Sequence, residues 1–270
     1  MTAAERARPR AAPRASLGTW LSDSWQMVKR NLIHIRRTPE LLLDVTVSPI
    51  MFVLLFSLVF GGAIDVPRES YINYLMAGIF VQTIAFAGIY TGVLLANDLK
   101  NGMIDRFRSL PMAQSSVLTG RTLTDLLRAT LAVAIMWIVG MLVGFRPGGG
   151  VLGGIGAVAV MLLFGFALSW VGVALGALVR TPEALQGIIF AAVFPLTFVS
   201  SAFVPTETMP GWLAWFADRQ PMTLVTNAVR SLTLDGSGGP TFVPSILWSL
   251  AILAVCFPLG LWAYQRRTTQ

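Results

Sequence analysis

Between positions 98 and 111 the chain gathers Asp98, Lys100, Gly102, Asp105, Arg106, Phe107, Arg108 and Pro111, its densest mixture of charge, aromatic surface and turn residues between apolar runs. Ile104, Phe107 and Leu110 or Pro111 form an apolar edge, flanked by Asp105, Arg106 and Arg108. A short amphipathic helix with an aromatic knob and a ring of charge suits a groove on a soluble partner. It suits a membrane surface equally, and the residues alone leave both readings open. Catalytic groups are scarcer. The only lysines are Lys29 and Lys100, and neither closes a G-x-x-x-x-G-K-[ST] loop able to cradle nucleotide phosphates. No G-x-S-x-G turn occurs, and the one histidine, His34, leaves serine-type and metal-type hydrolysis without their usual parts. Neither a catalytic residue nor a metal site is expected. Cys256 is the sole cysteine, so no intramolecular disulfide forms. Energy for any transport is expected to come from another protein.

The elements that carry this segment are apolar. Only 12% of the 270 residues are charged and 55% are hydrophobic. Charge-free runs cover 45–64, 70–97, 129–145, 147–179, 184–206 and 236–265. A bilayer-crossing helix needs about 20 mostly apolar residues, and lipid tolerates no unpaired backbone. The expectation is an all-α polytopic membrane protein with six spans, at about 41–64, 71–96, 123–145, 152–179, 184–204 and 243–264, inside a membrane domain over 39–265. Sixteen of the 20 Lys and Arg residues fall on one side of this topology. The positive-inside rule then makes both termini cytoplasmic, with residues 266–270 as a short cytoplasmic tail and the plasma (inner) membrane as location. The net charge of +7 reads as retention at an anionic inner leaflet, and no nucleic-acid partner is expected.

Residues 1–15, with four arginines and two prolines, read as a disordered basic tail. Over 16–38, Leu17, Leu21, Trp25, Val28, Leu32 and Ile35 recur at helical spacing, which predicts an amphipathic helix in the membrane interface. The second span is polar for its class, with Asn73, Gln82, Thr83, Tyr90 and Thr91. Its Gly88–Gly92 pair, like Gly172–Gly176 in the fourth span, permits close helix approach. Asp125 and Arg128, three residues apart, read as a local ion pair reaching the interface in preference to a transport role. Proline at 195 in the fifth span frees a backbone carbonyl for Thr197, Ser200 and Ser201 to satisfy. Two short outer helices, starting at Pro210 and Pro221, precede the sixth span.

Four stretches, "PELLLDVTVSPIMFVLLFSLVFGGAI" (39–64), "GMIDRFRSLP" (102–111), "LVRTPEALQGIIFAAVFPLTFVSSAFVP" (178–205) and "MPGWLAWFADRQPMTLVTNAVRSL" (209–232), resemble the permease subunits of type-2 ABC exporters. Within them the chain is most similar to the daunorubicin/doxorubicin-resistance efflux permeases, from about Thr38 to Tyr264. The resemblance implies that the loop between spans two and three is a coupling helix on a separate ATP-binding subunit. Gly102, Asp105, Arg106, Phe107, Arg108 and Pro111 would lie in that helix, with Asp98 and Lys100 at its entry. The broader superfamily often has glutamate where Asp98 stands, so the charge is kept at shorter reach.

The same resemblance implies two permease protomers, homo- or heteromeric, and two ATPase subunits that bind the ATP and Mg. Cargo would pass outward along spans one, two and five, with Phe52, Phe56, Tyr90, Phe194 and Phe198 as aromatic contacts. Trp212 would anchor the outer helices at the interface, and Arg230 would serve as a gate or lipid contact. The implied function is outward transport of an antibiotic or similar amphipathic molecule. Polysaccharide or lipid-linked glycan is the alternative cargo. A self-sufficient carrier and an intramembrane enzyme are weaker readings, because no acid lies deep in a span and no catalytic cluster is present.

Overall fold

The computed structural model describes residues 39–60, 70–101, 114–179 and 181–269. Eight α-helices make up these residues, with no strand among them: α1 Pro39–Phe60, α2 Tyr71–Lys100, α3 Gln114–Val143, α4 Gly150–Leu178, α5 Pro182–Phe198, α6 Gly211–Arg219, α7 Pro221–Leu234 and α8 Phe242–Thr269. One turn of 3₁₀ helix, Thr206–Thr208, precedes α6. The expected basic tail, the interfacial helix over 16–38 and the segment from Gly102 to Pro111 lie outside the described residues.

Four helices contain stretches long and apolar enough to cross a bilayer: Tyr71–Lys100, Thr122–Val143, Gly150–Leu178 and Phe242–Arg267. The apolar stretches of α1 and α5 are shorter, Ile50–Val59 and Pro182–Phe198. Large apolar side chains such as Leu152, Leu142, Val255 and Leu247 face outward over the bundle. An uncovered apolar belt of this kind is costly in water and neutral in lipid. Together with the helix lengths, it makes the chain a multi-pass membrane protein.

Helix α2 is the hub. It packs against α1, α3, α4, α5 and α7. Its contact with α4 is a meeting of glycines. A Cβ added to Gly92 would stand 2.1 Å from the Gly172 carbonyl oxygen, and one added to Gly172 would stand 2.4 Å from that of Ile89. Gly88 meets Gly165 in the same manner. The two glycine pairs singled out by their spacing therefore face each other. Helix α8 closes the far side of α4, where Trp170 meets Phe257 at 4.4 Å between ring centroids. At the end of α4, Arg267 donates to the carbonyls of Gly176, Ala177 and Val179 at 3.0, 3.3 and 2.6 Å. A cation at a helix C-terminus satisfies orphan carbonyls and complements the helix dipole.

Helix α5 is attached differently. Thr181 caps its start by accepting from the Ala184 amide at 3.3 Å, with Pro182 at the first helical position. A single stripe, Leu185, Ile189, Val193 and Thr197, is buried, and most of the remaining surface is open. The helix ends at Phe198, so the continuous span expected to about Val204 is shorter, and the chain turns from 199 onward. The reason lies in the residue that precedes α7. The Gln220 side-chain amide donates to the Leu196 carbonyl at 3.0 Å and also to that of Val199, capping α5 from outside. Gly78 supplies the space: a Cβ there would stand 1.9 Å from the Ala202 carbonyl oxygen. Near Pro195, the Thr197 hydroxyl donates to Val193 at 2.8 Å. Ser200 donates to the Thr197 carbonyl.

Candidate functional site

Between α1, α2, α3 and α5 lies a cavity of about 410 Å³. One face of α2 supplies Gln82, Thr83, Phe86, Ala87, Tyr90 and Leu94, at the three- and four-residue spacing of a helical stripe. Helix α1 contributes Phe52, α3 contributes Asp125, Arg128, Ala129 and Ala132, and α5 contributes Ile189, Phe190 and Phe194. A volume in this range suits a drug-sized molecule, and an apolar wall with a few placed polar groups is the usual composition of such sites.

The aromatic wall is continuous from α1 to α5. Phe52 stacks on Phe56 at 5.9 Å, Phe56 on Phe203 at 4.6 Å, and Phe203 meets Phe198 at 5.2 Å. Phe198 then meets Phe194 at 4.5 Å, and Phe194 stacks on Phe190 at 4.9 Å. Of the five residues expected along a transport path, Phe52, Tyr90 and Phe194 line the cavity. Phe56 and Phe198 do not; they pack against Phe203, beyond its rim.

The polar groups occupy two levels. Gln82 is 6% exposed, lines the cavity and makes no side-chain hydrogen bond within the described residues. Beside it, Thr83 reaches only the Met136 sulfur, at 3.5 Å. Further along α2, Thr91 donates to the Asp125 carboxylate at 2.8 Å. Arg128 lies 3.8 Å from the other carboxylate oxygen, and its Nε is buried with no hydrogen-bond partner among the described residues. The ion pair expected from the three-residue spacing is present, and it lines the cavity. Tyr90 accepts weakly from Gln186 of α5 at 3.5 Å.

Sequence reasoning passed over Gln82, Thr83, Phe86, Asp125, Arg128 and Phe190 as site residues. The available signal was the run of polar and aromatic types at helical spacing along one face of α2. Of the expected coupling residues, Lys100 pairs with Glu183 at 3.1 Å, joining the end of α2 to the start of α5 in an exposed contact. Asp98, half-buried, lies within the same turn of α2. Gly102, Asp105, Arg106, Phe107, Arg108 and Pro111 are outside the described residues.

At the opposite end, Trp212 is 76% exposed on α6, beside Trp215, whose ring carries Arg219 at 4.7 Å. Arg230 points inward. It donates to the Ser201 carbonyl at 2.8 Å, to that of Tyr74 at 3.2 and 3.3 Å, and to Asn227 at 2.6 Å, with its guanidinium 3.6 Å over the Tyr74 ring. The Tyr74 hydroxyl donates to the same Ser201 carbonyl at 2.9 Å. Arg230 thus fastens the turn after α5 to α2.

Residues 23–234 match the model of the ABC-2 type transporter family. The chain is 36% identical over 258 residues to the daunorubicin resistance ABC transporter permease protein DrrB1 of Streptomyces coeruleorubidus, covering 95% of this chain and 91% of that protein. It is 25% identical over 222 residues to the doxorubicin resistance ABC transporter permease protein DrrB of Mycobacterium tuberculosis, covering 77% of each. A putative transport permease, ycf38 of Cyanophora paradoxa, is 26% identical over 222 residues, covering 79% of this chain and 74% of that protein. With glycine-packed apolar helices, a drug-sized cavity and a family match over most of its length, the chain belongs to the ABC-2 type transporters.

Proposed function

We propose that this chain is the permease subunit of an ATP-driven exporter that moves an antibiotic or similar amphipathic molecule outward across the plasma membrane. The observation that carries this reading is the cavity, walled by phenylalanines from α1, α2 and α5, in a chain similar to drug-resistance permeases. A polysaccharide or lipid-linked glycan would need many hydrogen-bonding groups along its path, and this wall offers few. Six spans complete the topology when α1 and α5 are counted with the four longer helices, and the basic side faces the cytoplasm.

A separate ATP-binding subunit, in two copies, supplies the energy and binds the ATP and Mg, and two permease protomers enclose the path. Gly102, Asp105, Arg106, Phe107, Arg108 and Pro111 dock on the ATPase. The thrust reaches α2 through Asp98 and Lys100, and α5 through the Lys100–Glu183 contact. A helix held by one buried stripe can rock against α2, which is the motion an alternating-access cycle needs.

Affinity purification from native membranes in mild detergent, followed by mass spectrometry, tests the assembly. A stoichiometric partner carrying G-x-x-x-x-G-K-[ST], lost on Phe107→Ala/Arg108→Ala with membrane insertion intact, is the expected result. This chain purifying alone, where a known exporter retains its ATPase, would sink the proposal and favour a self-sufficient carrier.

A further inference from the structure

The cavity has polar groups at its two ends and apolar surface between them. Gln82 lies about 17 Å along α2 from Tyr71, near the middle of a bilayer-spanning helix. The residue is 6% exposed, lines the cavity and has no hydrogen-bond partner for its amide among the described residues. An amide left unpaired at that depth costs on the order of 1–3 kcal/mol, so an empty cavity is penalised there and a hydrogen-bonding occupant relieves it. The second level is fixed by the Thr91–Asp125 hydrogen bond, which sets Asp125 about 13 Å further along α2. There Arg128 and Asp125 line the cavity with side chains 21% and 12% exposed, a guanidinium beside the carboxylate that neutralises it. Phe86, Ala87 and Ala129 lie between the two levels, giving one aromatic plate and two small residues to slide against.

The geometry points to a two-ended recognition site. Gln82 is a specificity-determining contact for an elongated aromatic cargo with a hydroxyl or carbonyl at each end. One end hydrogen-bonds the Gln82 amide, and the other meets the exposed part of the Arg128 guanidinium and Asp125. The aromatic body fills the space between Phe52, Phe86 and Phe194. Because Asp125 and Arg128 cancel in charge, the site selects for length and end-group hydrogen bonding rather than for net charge. This deepens the proposed function and rests on the cavity being the cargo compartment.

Three fluorescent probes of one shape separate the contributions: p-terphenyl, its 4-hydroxy derivative and its 4,4″-dihydroxy derivative, whose hydroxyls span nearly the distance between the two polar levels. Binding to the full chain in lipid nanodiscs is measured against empty nanodiscs. The expected order is diol over mono-ol over hydrocarbon, each step about five- to tenfold, the size of one well-placed hydrogen bond. Gln82→Met, which keeps length and volume, is expected to reduce diol binding to the mono-ol level and to leave p-terphenyl unchanged. Equal binding of diol and mono-ol to the unaltered protein overturns the two-ended site without any variant. A Gln82→Met protein that keeps the full diol preference, or weakens all three probes alike, overturns the role of the amide. No uptake of any probe above empty nanodiscs would instead overturn the cavity as the cargo compartment, and with it the cargo reading.

Discussion

Helix α2 makes two kinds of contact on its two sides. Toward α4 it meets backbone with backbone through Gly88, Gly92, Gly165 and Gly172, with no space for a methyl group. Toward α5 it packs through one side-chain stripe, Ile89, Val93 and Ala96 against Leu185, Ile189 and Val193, and beside that stripe a cavity opens toward α1, whose phenylalanines continue to those of α5. Close-packed backbones resist relative movement, because any shift meets a steep steric wall. Stacked rings slide at little cost, since each pair is worth only about 0.5–1.5 kcal/mol beyond its burial. The α2–α4–α8 side is therefore a frame, and the α1–α5 side is the part that can rearrange around cargo.

The sharpest way to break this contrast is to add volume on each side. Gly92→Leu drives a side chain into the Gly172 backbone, and a loss of at least about 3 kcal/mol is expected, read as loss of monodisperse folded protein. Gly187→Ala on α5, where an added Cβ meets nothing within 4 Å, is expected to change thermal stability by less than about 1 kcal/mol, toward greater stability. If Gly92→Leu is tolerated, the frame is not rigid.

Arg230→Met comes next. It leaves the Ser201 and Tyr74 carbonyls without their cationic donor, and a loss of about 2–3 kcal/mol is expected in detergent unfolding. Hydrogen exchange should rise first over 199–205 and leave α4 protected. Uniform exchange across the bundle would show that the turn is not a separate unit. Phe203→Leu keeps an apolar side chain, somewhat smaller, but removes both ring contacts that join α1 to α5. About 1–2 kcal/mol is expected from stability, with a larger proportional fall in transport. The smallest effect belongs to Lys100→Ala. Its pair with Glu183 is solvent-exposed, so the melting temperature should not move. A reduced transport rate at unchanged stability would mark the pair as part of the drive between α2 and α5.

Much of the frame is legible in the sequence because its signals are local. A G-x-x-x-G spacing puts two glycines on one helix face wherever the helix ends up, so spacing alone marks Gly88–Gly92 and Gly172–Gly176 as packing surfaces. The end of α5 is not legible in this way. An apolar run continuing past Phe198 reads as helix, but its cap comes from Gln220 and the turn after it is held by Arg230, more than 20 residues later. Three cavity aromatics, Phe52, Tyr90 and Phe194, follow from the family resemblance. Asp125 and Arg128 are visible as a pair, but their facing the cavity depends on the rotation of α3, which Thr91 on a different helix helps to set. Gln82 shows in the sequence only as a polar residue in a span. That its amide meets no partner among the described residues is a property of the packed bundle.

The Arg267 cap at the end of α4 bears on the order in which the protein is made. The Gly176, Ala177 and Val179 carbonyls are synthesised 88 to 91 residues before the guanidinium that satisfies them. During translation the end of α4 therefore waits for these bonds until the far end of α8 has been made. A chain cut short at Gln265 would keep the apolar stretches of all eight described helices and still lack this fastening, so the last turn of α4 is held by a residue that the apolar core itself does not need.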